Sequence, residues 1–184
     1  MSTVSGRAFV FGHDVDTDAL APGAYLKAPI EEVARHCLES LDPGFATSVS
    51  PGDVVVAGRN FGAGSSREQA AAALRSLGVA AVVAQSFAGI FYRNAINLGL
   101  PAVVCAEADR IVAGARVEHV VGSGVVQLPD RGITLHCDAI PAHLMNILDA
   151  GGLLRWLEQR AVTQRTSIAR SSQAPQHSLP KTTR

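Results

Sequence analysis

The sequence predicts an α/β domain, a mixed sheet core with flanking helices, and two observations carry that prediction. Between residues 53 and 105, short apolar runs alternate with stretches of helical period, and the connectors are short. Strand, helix, strand, helix, strand at that spacing means parallel strands joined by right-handed crossovers. Beyond residue 115 the pattern changes to three strand-like runs around the turn Gly122-Ser123-Gly124. The composition suits a buried core, with 47% of residues hydrophobic and 17% charged.

In order, residues 7–11 (RAFVF) read as an opening strand. Residues 12–29 are rich in Gly, Pro and Asp and are mostly loop. Residues 30–38 suit a helix, with Ile30, Val33 and Cys37 on one side and Glu31, Glu32 and Arg35 on the other. Residues 53–57 (DVVVA) are a buried strand, followed by a turn-rich loop over 58–64. Residues 66–77 are helical, with Ala70, Ala73, Leu74 and Leu77 as the apolar face and Gly78 suited to a left-handed cap. Residues 80–84 form the next strand. Residues 86–98 form a helix with Phe87, Ile90, Phe91, Ala95 and Leu98 inward, stopped by Gly99. Residues 101–105 complete the parallel set. Runs at 115–121, 125–128 and 133–136 are strands, and 141–150 and 153–159 are closing helices. Residues 1–162 are expected to form the domain. Residues 163–184, polar and poor in large hydrophobes, are expected to be a disordered tail.

The bulk numbers exclude several classes. The formal net charge is +0, so neither a nucleic acid nor a membrane surface is an expected partner. No apolar run approaches the roughly 20 residues of a membrane helix. Residues 1–7 carry no apolar core of a signal peptide. The 3 cysteines, Cys37, Cys105 and Cys137, are scattered and odd in number. They read as structural thiols in a reducing cytoplasm, with no disulfide framework and no zinc or iron–sulfur site of the chain's own. The 6 histidines form no ligand spacing.

The sharpest constellation is Asn60-Phe61-Gly62-Ala63-Gly64-Ser65-Ser66-Arg67-Glu68, between a buried strand and a helix. Gly62 and Gly64 permit backbone conformations and close approaches that a side chain would block. Ser65 and Ser66 fall at the expected helix start, where outward N–H groups favour an anion. Arg67 adds a donor fork that suits a carboxylate. The same residues also fit a plain capping box, Ser65 with Glu68. Arg67 occupies the last glycine position of a dinucleotide fingerprint, which disfavours a nucleotide site. A second constellation, Gly12-His13-Asp14-Val15-Asp16-Thr17-Asp18, suits either a cation or a hydrogen-bonded loop scaffold. Tyr25-Leu26-Lys27 is a loop tripeptide with little meaning by itself.

Together these stretches resemble one family. Asp16-Thr17-Asp18-Ala19-Leu20-Ala21-Pro22, then residues 60–68, then residues 86–100, then Ile147-Leu148-Asp149-Ala150-Gly151-Gly152-Leu153 are similar to motifs of the 3-isopropylmalate dehydratase small-subunit family. The similarity covers about residues 6–158 and excludes the tail. It implies the aconitase-type swivelling β/β/α domain. It implies a hydro-lyase that dehydrates and rehydrates a malate-type di- or tricarboxylic acid, active only with a large subunit. The chain itself would bind no cofactor, and the [4Fe-4S] cluster would sit on that large subunit. By the same resemblance Ser65 is the base that takes the carbon-bound proton. Ser66 and Arg67 hold a substrate carboxylate, and Lys27 lies on the loop facing the substrate's variable end. Asp16, Thr17, Asp18, Asn60, Gly62 and Gly64 support the two loops.

Three positions depart from the family pattern. Ala63 stands where many relatives have Cys, and Gln69 where many have His. Lys27 occupies the position at which relatives taking isopropylmalate, homoaconitate or dimethylmalate differ. The reading is a 3-isopropylmalate dehydratase type of leucine biosynthesis. The alternatives are a homoaconitase-like or 2,3-dimethylmalate-like dehydratase, or a non-catalytic anion-binding module.

Overall fold

The structure, a computed structural model, describes residues 3–172. Its strands are β1 (Thr3–Val10), β2 (Val54–Ala57), β3 (Ala81–Ala84), β4 (Ala102–Val104), β5 (Arg116–Val120), β6 (Val125–Leu128) and β7 (Ile133–His136). Its helices are α1 (Thr17–Leu20), α2 (Ile30–Arg35), α3 (Phe45–Ser48), α4 (Gln69–Ser76), α5 (Gly89–Asn97), α6 (Ala142–Asp149) and α7 (Leu153–Ser172). The strands form one 7-stranded sheet in the order β4-β3-β2-β1-β5-β6-β7. The β1 to β4 half is parallel, and β5 to β7 continue it antiparallel. This is the mixed sheet with flanking helices that the sequence predicts.

Strands β2 and β3 read Val-Val-Val-Ala and Ala-Val-Val-Ala, and every residue in them is buried. Such runs are what a parallel strand covered on both faces requires. Val55, Ala57, Val82, Ala84 and Ala102 face one core with Val33, Phe45, Phe61, Ala70, Leu74 and Phe91. Val54, Val56, Ala81, Val83 and Val103 face the other, with Val117, Val126, Leu128 and Leu135 of the antiparallel half. The sheet therefore curls over the second core. Each fully buried Val or Leu contributes about 1.5–3 kcal/mol through burial, so these two layers hold the loops above them rigidly in place.

Several boundaries differ from the sequence reading. The opening strand begins at Thr3, because residues 3–7 pair with β5, a partner that comes far later in the chain. The helix expected over 30–38 ends at Arg35. Leu38 takes φ 60° and donates its N–H to Ala19 O at 2.7 Å, so a tertiary bond displaces the last helical turn. Ile90, expected inward, is 43% exposed. Helix α7 runs past the boundary expected after residue 162, because no Gly or Pro follows Leu153 until Pro175. The expected tail is thus helical as far as Ser172, and residues 173–184 lie outside the described residues. Among the described residues no helix is long and apolar enough to cross a membrane.

Candidate active site

Parallel strands deliver their following loops to one end of the sheet, and three such loops meet there. The loop after β1 carries residues 11–16, the loop after β2 residues 58–68, and the loop after β3 residues 85–88. Backbone bonds zip the first two together. Asp14 N donates to Arg59 O at 2.8 Å, Gly62 N to Val15 O at 2.7 Å and Thr17 N to Ala63 O at 2.8 Å. On the other side Phe61 N donates to Ser86 O at 3.0 Å, and Ala88 N returns to Phe61 O at 2.9 Å. The Phe61 ring is buried edge-on against Phe91, with centroids 5.1 Å apart.

Side chains lock this frame. Asn60, at φ 61°, donates its amide to Asp14 Oδ1 at 2.9 Å, and its backbone N–H donates to Ser86 Oγ at 2.9 Å. Asp16 caps α1 by accepting from Ala19 N at 2.8 Å. Thr17 is 2% exposed, and its hydroxyl accepts the Ser65 N–H at 3.0 Å. Gly62 takes φ 78°, and a Cβ there would lie 2.2 Å from Phe91 Cγ. Gly64 takes φ 102°, and a Cβ would approach Thr17 Oγ1 to 3.1 Å. Both glycines are therefore demanded by conformation and by space. The acidic stretch at 14–18 is thus spent on turn amides, on Asn60 and on Arg67, as the loop-scaffold alternative requires.

The helix start is not where the sequence placed it. Helix α4 begins at Gln69, its cap position is Glu68, and no side chain caps it. The capping box of Ser65 with Glu68 does not form, because Thr17 takes the Ser65 N–H. Ser65 and Ser66 precede the first helical turn, and its outward N–H groups belong to the residues after them. Both serines are exposed. Among the described residues neither hydroxyl has a hydrogen-bond partner, and Ser66 O accepts from Asn94 Nδ2 at 3.4 Å.

Arg67 is half-buried beside them. Its Nη1 pairs with Asp18 Oδ1 and donates to Ala21 O at 3.2 Å. Asp18 is exposed, so this pair adds only about 0.2–1 kcal/mol of stability; its effect is to aim the guanidinium. Lys27 is exposed, and no ion pair joins it to another described residue. Its loop is fixed through Tyr25, whose ring stacks on His36 with centroids 3.6 Å apart. Glu39 holds His36 at 2.6 Å and raises its pKa, with Glu32 adding to the effect.

The structure thus brings together Asp16, Thr17, Asp18, Asn60, Gly62, Gly64, Ser65, Ser66 and Arg67. It does not join Lys27 to them by any bond. Sequence reasoning assigned no role at the site to Ser86 or Asn94, whereas Asp14 stood in the acidic stretch read as a cation site or a loop scaffold. Ser86 and Asn94 lie inside the motif at 86–100, but nothing local shows that their polar atoms turn toward another loop. Among the described residues no three His, Cys, Asp or Glu side chains converge to hold a metal ion.

A curled mixed sheet with the serine loop at its parallel end defines an aconitase-type domain. The family model of the aconitase C-terminal domain matches residues 27–108. The 3-isopropylmalate dehydratase small subunit of Halothermothrix orenii is 47% identical over 153 residues, 82% of this chain and 93% of that protein. The methanogen homoaconitase small subunit of Methanocaldococcus jannaschii is 45% identical over 162 residues, 88% of this chain and 95% of that protein. A crystal structure of 3-isopropylmalate dehydratase from Methanocaldococcus jannaschii superposes with a TM-score of 0.86 at 43% identity, covering 90% of this chain and 99% of that one. The chain belongs to the 3-isopropylmalate dehydratase small-subunit family.

Proposed function

We propose that this chain is the small subunit of a 3-isopropylmalate dehydratase-type hydro-lyase, supplying one half of an active site that a large subunit completes. The observation that carries this reading is an open cradle. Ser65 is held by the buried Thr17, Ser66 by Asn94, and Arg67 by Asp18 and the carbonyl of buried Ala21, yet both serines face solvent with their hydroxyls unengaged. A site built so rigidly and left so open is suited to closing against another surface.

In this reading Ser65 Oγ takes the carbon-bound proton. A serine hydroxyl is a poor base in water, and its alkoxide needs preorganised donors and the exclusion of water on closure. Arg67 spends Nη1 on Asp18 and Ala21 O, which leaves its other donors for a substrate carboxylate beside Ser66. The residues described here do not fit an iron–sulfur cluster, since Cys37 and Cys105 are buried and apart in separate cores. The [4Fe-4S] cluster is assigned to the large subunit, where it supplies a Lewis acid for the departing hydroxyl. The substrate is a malate-type acid, and we favour 3-isopropylmalate over homoaconitate because no bond ties Lys27 to the cradle of Ser65, Ser66 and Arg67.

The test is assembly. Purified alone and treated anaerobically with iron and sulfide, the chain should stay colourless and inactive. Mixed with a cluster-bearing large subunit of this family, it should support isopropylmalate turnover. A stoichiometric [4Fe-4S] cluster and dehydratase activity on this chain alone would overturn the divided site.

A further inference from the structure

Strands β4 and β7 are the two open edges of the sheet, at opposite ends of the strand order. The curl brings them back together. Asp138 N donates to Val104 O at 2.8 Å, and the Cys105 thiol lies 3.8 Å from His136 O. Through the alternating pairings of β5, β6 and β7, β7 runs opposite in sense to β4. Cys105 follows Val104, and Cys137 precedes Asp138, so the two cysteines stand across the join from each other. A disulfide bridges Cα atoms roughly 4.4–6.8 Å apart, and the 2.8 Å bond between the residues next to the cysteines holds the two backbones at close range. The two thiols influence each other's ionisation. The neighbouring Cys137 thiol lowers the Cys105 pKa against burial and the nearby Glu107 and Asp109 carboxylates, and the Cys105 thiol together with burial raises that of Cys137. Cys105 is buried and Cys137 half-buried, so solvent reaches the pair from the Cys137 side. Cys37 is fully buried in the other core, and burial pushes its pKa up.

We infer that Cys105 and Cys137 form a reversible intramolecular disulfide when the protein meets a hydroperoxide, stapling the β4 edge to the end of β7. The Cys105 thiolate attacks a peroxide oxygen, the O–O bond breaks, and one water leaves after protonation. The sulfur is then a sulfenic acid. The Cys137 sulfur attacks it, the S–O bond breaks, and a second water carries off the Cys137 proton. Two thiols are oxidised and one hydrogen peroxide is reduced to two waters. The bond closes a long loop and restrains the unfolded chain. It requires no contribution from Ser65 or Arg67, so it stands or falls independently of the proposed function.

Trypsin separates the two cysteines, because Cys105 lies between Arg93 and Arg110, and Cys137 between Arg131 and Arg155. The full-length chain is exposed to hydrogen peroxide, blocked with an alkylating agent, digested and analysed by mass spectrometry. The expected product joins residues 94–110 to residues 132–155 within one molecule, and dithiothreitol reverses it. The melting midpoint of the oxidised chain should rise by roughly 5–10 °C. In Cys137→Ser the crosslink is lost and Cys105 accumulates as a dimedone-reactive sulfenic acid. A crosslink through Cys37, a crosslink only between molecules, or a wild-type Cys105 left unmodified at millimolar peroxide would overturn the inference. The wild-type digest decides this even if the variant fails to fold.

Discussion

A serine hydroxyl is a weak base and a lysine ammonium is a strong charge, so position decides what either contributes here. Ser65 is positioned by its own backbone, through the bond from its N–H to the buried Thr17 hydroxyl. Lys27 is exposed and has no such anchor among the described residues, and a lysine on a surface keeps its head in water. Lys27→Val is therefore expected to leave the ratio of isopropylmalate to homoaconitate turnover unchanged in the assembled enzyme. A shift of about tenfold or more toward isopropylmalate would mean that Lys27 pairs with a second substrate carboxylate, whose loss costs on the order of 1–3 kcal/mol. The types of residue at the site were legible in the sequence, since Gly62, Gly64, Ser65, Ser66 and Arg67 stand in one short run. Their partners were not. Thr17 meets Ser65 and Asp18 meets Arg67 across dozens of residues, and no local spacing reports a contact made by folding.

At the scale of elements, the zipper between the loops after β1 and β2 governs the site. Thr17→Val keeps the shape of the side chain and removes the acceptor for the Ser65 N–H. The expected outcome is a melting midpoint lowered by roughly 2–6 °C, for a loss of about 1–1.5 kcal/mol, and a turnover lowered by about tenfold or more. Unchanged turnover at full occupancy by the large subunit would show that this bond does not place Ser65. The same contact explains why the helix start was misread. Ser65 with Glu68 satisfies the local rule for a capping box, but Thr17 competes for the serine's N–H and wins, and α4 begins at Gln69. Helix α7 shows the converse. Its polar sequence after residue 162 offers little to bury, but that alone does not stop a helix that lacks Gly and Pro. Deleting residues 163–184 should leave assembly and turnover near normal, as measured by copurification with the large subunit and by rate. A large fall in either would mean that this segment docks on the partner.

For the whole molecule, the parallel half was legible because its strands and helices alternate within one continuous stretch. The curl of the sheet was not. It joins β4 to the segment after β7, elements at opposite ends of the strand order, and so hides the neighbourhood of Cys105 and Cys137 from any reading along the chain. The curl also leaves the serine loop at an open rim, supported from beneath and uncovered above. Everything proposed about function rests on that rim being half of a catalytic site with Ser65 at its centre. The direct measurement is isopropylmalate turnover of Ser65→Ala assembled with the large subunit, alongside its melting midpoint and its copurification with that subunit. The expected result is intact assembly, a near-normal melting midpoint, and turnover lowered by at least about 100-fold, the scale of a lost general base. Full turnover in an assembled Ser65→Ala enzyme would contradict it.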